Sequence, residues 1–173
     1  MGYFGTHFLA RCAALGELAC VQAIEGEQLR EHAHSGGWRH GSVAGRDYTD
    51  PGDLAAALVA ATGAPALAMY VFDSDFATVH LDSPQGVRHW FYLDPEAAME
   101  IFEDFDDPVE PPPPAETVAE LRRWAAEAGL VAGTAAELEA AVRSGLGPSG
   151  GVQHLYRALG VPVAGAAGSP PAA

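Results

Sequence analysis

Between Ala64 and Glu103 the chain alternates β-rich runs with turn residues. Ala64-Pro65-Ala66-Leu67-Ala68-Met69-Tyr70-Val71-Phe72 is followed by Asp73-Ser74-Asp75. Phe76-Ala77-Thr78-Val79-His80-Leu81-Asp82 then precedes Ser83-Pro84-Gln85-Gly86, and Val87-Arg88-His89-Trp90-Phe91-Tyr92 completes the series. β-branched and aromatic residues bounded by Asp, Ser, Pro and Gly predict three strands joined as a meander. Asp94-Pro95-Glu96 closes it with a helix start, because Pro at the first helical position presets φ and a preceding Asp caps free amides. The segment therefore demands an antiparallel sheet with packed helices, an α+β fold.

Local signals place the remaining elements. Tyr3 to Arg11 reads as a first strand, followed by a short Ala- and Leu-rich helix. Gln28 to His34 and Trp38 to Val43 form a polar hairpin around Ser35-Gly36-Gly37. Asp50-Pro51-Gly52-Asp53 opens a helix through Leu54, Leu58 and Val59, capped by Asp50 or Asp53, that stops at Thr62-Gly63. A further helix runs from about Pro95 to Phe105.

Pro111-Pro112-Pro113-Pro114 is a stiff polyproline segment and the best boundary in the chain. Thr117-Val118-Ala119-Glu120 and Thr134-Ala135-Ala136-Glu137 read as capping boxes, and Val152, Leu155, Tyr156 and Leu159 recur at helical spacing. The expected organisation is an α+β core over 1–107, a Pro-rich linker over 108–114 and a small three-helix appendage over 115–160. A tail over 161–173, rich in Ala, Gly, Ser and Pro, is expected to be disordered.

Charge constrains partners. All nine basic residues are arginine, against 23 acids, for a net charge of −14. Residues Asp94 to Glu120 hold ten acids and no base. Such a surface repels nucleic acid and anionic membranes and attracts basic proteins. No apolar run approaches the roughly 20 residues of a membrane-spanning helix, no secretory leader is read at the N-terminus, and Cys12 and Cys20 form no Cys-x-x-Cys pair. A cytoplasmic protein with reduced thiols is expected.

Register arithmetic nominates the candidate site. A three-residue loop at Asp73-Ser74-Asp75 pairs Phe72 with Phe76 and Met69 with Val79. A four-residue loop from Ser83 to Gly86 pairs Asp82 with Val87 and His80 with His89. Leu67, Met69, Val71, Val79, Leu81, Trp90 and Tyr92 then face the core, and Tyr70, Thr78, His80, Asp82, His89 and Phe91 share the other face. His80, Asp82 and His89 would form a divalent-metal or acid–base constellation. His32, His34 and His40 form a second histidine group across the hairpin, without an established zinc spacing. Asp73-Ser74-Asp75 reads as turn chemistry, with neither a calcium loop nor a nucleophile elbow around it.

No catalytic motif emerges, and no cofactor is expected beyond that candidate metal. The leading expectation is a non-enzymatic, immunity- or antitoxin-like interaction protein for a basic protein partner. Tyr70 and Phe91 would anchor it, with Asp82, Glu96, Glu100, Glu103 and Asp104, and the further acids Asp106 and Asp107, steering the encounter. One alternative is a metal-binding protein or metal-dependent enzyme at His80, Asp82 and His89. Another is a regulator of DNA transactions, acting by phosphate mimicry or through Gln153, His154 and Arg157 on the last helix.

Gly36-Gly37-Trp38, Thr62-Gly63-Ala64-Pro65-Ala66-Leu67, Tyr70-Val71-Phe72-Asp73-Ser74-Asp75, Gly86-Val87-Arg88 and Tyr92-Leu93-Asp94-Pro95 form a pattern over roughly residues 1–100. It resembles a group of small, acidic, uncharacterised actinobacterial proteins. The resemblance implies a bacterial cytoplasmic origin and brings no activity, substrate or site residue with it.

Overall fold

In the computed structural model, which describes residues 2–103, 109–146 and 150–163, the chain is an α+β protein built on one antiparallel sheet. Six strands run β1 (Gly5–Arg11), β2 (Arg30–Ala33), β3 (Trp38–Ala44), β4 (Ala66–Phe72), β5 (Phe76–Asp82) and β6 (Arg88–Leu93), ordered β2-β3-β1-β4-β5-β6 across the sheet. The helices are α1 (Ala19–Gln22), α2 (Pro51–Thr62), α3 (Pro95–Phe102), α4 (Pro114–Glu127), α5 (Ala135–Arg143) and α6 (Gly151–Ala158).

Both faces of the sheet are covered. On one, α2 lays Leu54, Ala55 and Leu58 over Phe8, Ala10, Ala66 and Ala68. Asp50 caps this helix by accepting from the amides of Gly52 and Asp53, and Gly63 ends it at φ 67°. On the other, α4–α6 pack Leu121, Trp124, Leu138, Leu155 and Tyr156 against Leu9, Leu67, Met69, Val79 and Phe91. A strand covered on both sides cannot alternate apolar with polar, and β4 accordingly buries every residue from Ala66 to Val71.

The helices after the prolines therefore share the sheet's core, which corrects the picture of a spacer holding two modules apart. The indole N–H of Trp124 donates to the carbonyls of Ala66 and Asp82, at 3.1 and 3.0 Å. Arg11, its guanidinium over the Trp38 ring, donates to the carbonyl of Ala128 just past α4. The second capping box forms as expected at Thr134 and Glu137. The first does not, because α4 starts at Pro114, four residues early, and leaves Thr117 buried inside it. At the start of the expected tail, Val161 is buried and its amide bonds to Tyr156; residues 164–173 lie outside the described set.

Strand register decides which side chains meet. The loop Asp73-Ser74-Asp75 is as expected, with Phe72 opposite Phe76 and Met69 opposite Val79. The next loop is one residue longer than expected, so Asp82 pairs with Arg88, His80 with Trp90 and Leu81 with His89. Ser83 to Gly86 do make a turn, closed by a 3.1 Å bond from the Gly86 amide to the Ser83 carbonyl. Val87 then leaves the ladder to bury its side chain completely, while its amide donates to the Ser83 hydroxyl at 2.9 Å. Burying a valine stabilises by roughly 1.5–3 kcal/mol, and the extra residue inverts every side chain of β6. Trp90 and Tyr92 thus join Tyr70, Thr78 and His80, whereas His89, Phe91 and Leu93 turn toward α4–α6.

Replacing Trp124 by Phe removes the shared donor from two strand carbonyls while keeping an aromatic ring. Urea unfolding should show a loss of about 2–4 kcal/mol, much more than Arg122→Ala on the same helix's exposed side.

Candidate functional site

The inverted β6 takes apart the constellation expected on the meander. His80 projects on the α2 side, where the first turn of α2 presses against it at Gly52. Burial lowers its pKa, and Asp50 and Asp53 partly oppose that shift. His89 projects on the opposite side, buried, with Nε2 3.0 Å from the Thr117 hydroxyl. Burial lowers the His89 pKa too, with Glu116 and Glu120 pulling the other way. Asp82 accepts from the Ser83 amide at 2.7 Å and pairs with Arg88 at 3.6 Å. All three residues border a cleft of about 350 Å³ at the end of the strands, but the two imidazoles leave the sheet on opposite faces. Among the described residues no group of three or more His, Cys, Asp or Glu is placed to hold a metal ion.

The expected partner-binding residues also divide. Phe91 is 1 % exposed and belongs to the main core, so it presents no surface; the register slip accounts for this. Tyr70 stays on the α2 side, mostly buried, with its hydroxyl donating to the Arg46 carbonyl at 3.1 Å. Glu96, Glu100 and Glu103 are exposed on α3 and at its end. Asp104, Asp106 and Asp107 lie outside the described residues.

Around Tyr70 the tertiary structure gathers aromatics that the strand pattern alone does not connect. Phe4, Tyr48, Tyr70, Phe72, Phe76 and Phe102 line a cavity of about 550 Å³, with Arg46 and Thr78. Tyr48 and Phe72 are 62 % and 40 % exposed, and Tyr48 meets Tyr70 edge-on at 5.1 Å between centroids. Phe72 stacks on its cross-strand partner Phe76 at 5.5 Å and touches Phe4 edge-on at 5.2 Å. The Arg46 guanidinium sits 4.6 Å from the Phe4 ring centroid, so the cleft already holds one cation against an aromatic face. Carboxylates surround it: burial first, then Asp50 and Asp53, raise the Tyr48 pKa, and Asp47 adds to the upward shift of Tyr70. Tyr70-x-Phe72 facing Phe76 was legible as an aromatic run. Tyr48, Phe4 and Phe102 arrive from distant segments with no sequence signal of their own.

Histidines gather at the other end of the sheet. His32 pairs with His40 across the hairpin, as expected, whereas His34 lies past the end of β2. His7, on β1, brings Nδ1 to 3.1 Å from Nε2 of His40 and Nε2 to 3.1 Å from the Tyr3 hydroxyl. Burial holds His7 at a pKa of about 4; burial, then repulsion from His7, His32 and His34, holds His40 at about 3. Gln153 on α6 lines the clefts beside His40, whereas His154 and Arg157 are exposed. Cys12 and Cys20 are free and half-buried, and burial raises both thiol pKa values.

No helix among the described residues is long and apolar enough to cross a membrane. No protein-family model, curated protein or solved structure matches this chain.

Unfolded histidine takes up its proton near pH 6.5, and folded His7 and His40 resist it down to about pH 4 and pH 3. The stability these neutral rings contribute is fully present above the unfolded value and is lost as pH falls toward the folded ones. Urea midpoints should drop steeply from about pH 6.5 to about pH 4, and His7→Gln should flatten that slope relative to the parent protein.

Proposed function

We propose that the chain is a cytoplasmic, non-enzymatic interaction protein of immunity- or antitoxin-like character that binds a basic protein partner. The observation that carries this reading is the aromatic cleft at Tyr48, Tyr70 and Phe72, half open to solvent in a chain of net charge −14. Exposed aromatics framing a cavity are the usual anchors of a protein interface, since they bury much area for little lost rotamer freedom.

Charge supports a cationic occupant. Arg11, Arg39, Arg46, Arg88, Arg123 and Arg143 are each engaged within the molecule, on a carbonyl, a carboxylate or an aromatic ring. Glu96, Glu100 and Glu103 are exposed on α3 and at its end, the helix whose last residue, Phe102, lines the cleft. Asp47, Asp50 and Asp53 act on its tyrosines. An arginine or lysine of the partner would enter over the rings as Arg46 does over Phe4. The surrounding carboxylates would accelerate encounter more than they tighten the final complex.

Capture from native extract on immobilised protein, followed by titration with the purified captured partner, tests this. The partner should be basic, and Tyr48→Ala/Phe72→Ala should weaken binding by at least about 30-fold, the effect of losing a hot spot of roughly 2 kcal/mol. Glu96→Gln/Glu100→Gln/Glu103→Gln should slow association, with a smaller effect at high salt. Undiminished binding by the double aromatic variant, or an acidic partner, would sink the reading.

A further inference from the structure

The histidine end of the sheet carries a second site, independent of the aromatic cleft. Arg30, Ser42, His7 and Met69 form one row across the covered sheet face, and His32, His40, Leu9 and Leu67 form the next. Where α6 begins, these rows are only partly covered. A cavity of about 480 Å³ opens there against Arg30, His7, His40, Gly150, Gly151 and Gln153. His40 and Gln153 also line a neighbouring cavity of about 460 Å³, so these two side chains stand between the two spaces.

Among the described residues, several polar atoms in that wall have no hydrogen-bond partner. His40 is 5 % exposed and its Nδ1 is buried without a hydrogen bond, as is Oε1 of Gln153. The Tyr156 hydroxyl, on a ring edge-on to His40 at 5.1 Å, is buried without one as well. A buried polar group without a partner is destabilising unless something binds it. Both nitrogens of His7 are occupied, by Tyr3 and by His40. If the Tyr3 hydroxyl donates to His7 Nε2, His7 Nδ1–H donates to His40 Nε2 and the proton of His40 sits on its buried, unpartnered Nδ1. The relay then ends in a donor. Amide oxygen and nitrogen exchange places by a flip of the Gln153 side chain, which makes that position a donor as well.

The rest of the lining is of the same kind. Among the described residues no carboxylate lines the larger cavity, although the chain has 23 acids. Arg30 stands at one wall, the hydroxyls of Ser42 and Ser74 at another, and α6 starts at Gly150, which has no side chain to cap it. A helix N-terminus, an arginine and a terminal imidazole N–H all favour negative charge. Val71, Leu146 and Val152 give the cavity an apolar side.

We infer that this cavity binds a small organic anion, its oxyanion group held by Arg30, His40, Gln153 and the start of α6, its apolar part against Val71, Leu146 and Val152. The rings are neutral at physiological pH because burial dominates their titration, so the histidines recognise the ligand by hydrogen bonding and Arg30 supplies the charge.

Titration of the full chain with isobutyrate and, separately, with inorganic phosphate at neutral pH, followed by amide chemical shifts, tests the inference. Saturable shifts confined to the Arg30, His40 and α6 region are expected, and whichever probe produces them identifies a carboxylate or a phosphate as the recognised group. Arg30→Gln, an exposed substitution that leaves the core intact, should weaken that binding at least about tenfold. Gln153→Leu should weaken it too while raising the urea midpoint of the unliganded protein, because it deletes an unpartnered buried amide. Failure of both probes to saturate at tens of millimolar, or binding unchanged in Arg30→Gln, would overturn the inference. None of these readouts involves the aromatic cleft, so the two sites stand or fall separately.

Discussion

The indole of Trp124 holds the architecture together. Its single N–H reaches the carbonyls of Ala66 and Asp82, which face one another at the paired ends of β4 and β5. Its ring packs against Trp38 from β3, 5.9 Å between centroids. One side chain from the C-terminal helices thus satisfies two strand carbonyls and joins both halves of the sheet. Around that contact the apolar face made by Leu9, Leu67, Met69, Val79 and Phe91 is covered, and α4–α6 bury Leu121, Leu138 and Leu155.

Other polar contacts complete this attachment. Arg11 meets the carbonyl of Ala128 past the end of α4, and Gly129 at φ 72° lets the chain turn so that the Leu130 amide reaches the Ala125 carbonyl. The Asp94 amide bonds to the Val142 carbonyl while its carboxylate caps α3, which ties the end of the meander to α5. The three helices after the prolines are a third layer of the protein. Two consequences follow for function. The α2 side of the sheet is left incompletely covered between α2 and α3, where the aromatic cleft lies. The opposite face is left open beside the start of α6, where the histidine relay ends.

The reading of the meander was right in its elements and wrong in one count, and that count carried the candidate site. Turn chemistry at Ser83-Pro84-Gln85-Gly86 is local and legible, and the turn forms there. Whether Val87 begins the next strand or leaves it for the core depends on an apolar space built by α4, which no local pattern reveals. Its burial exchanged His89 and Phe91 with Trp90 and Tyr92, and so dissolved the His80–His89 pair. The hairpin histidines fared differently. The hairpin brought His32 and His40 onto paired strands, but β2 ends before His34, and His7 and Gln153 come from segments far away in the chain.

By itself the sequence determined what depends on neighbours along the chain. The α+β class, the strand runs, the Asp50 and Thr134 caps, the three-residue loop at Asp73-Ser74-Asp75 and the acidic balance all follow from backbone preference and short-range hydrogen bonding. Tertiary structure alone decided the order of the strands, the joining of the C-terminal helices to the sheet, the register of β6, and the assembly of aromatics and histidines into two separate clefts. The physical reason is the range of the forces. Caps and turns are chosen over a few residues, whereas burial of Trp124 and Val87 is chosen by the whole core at once.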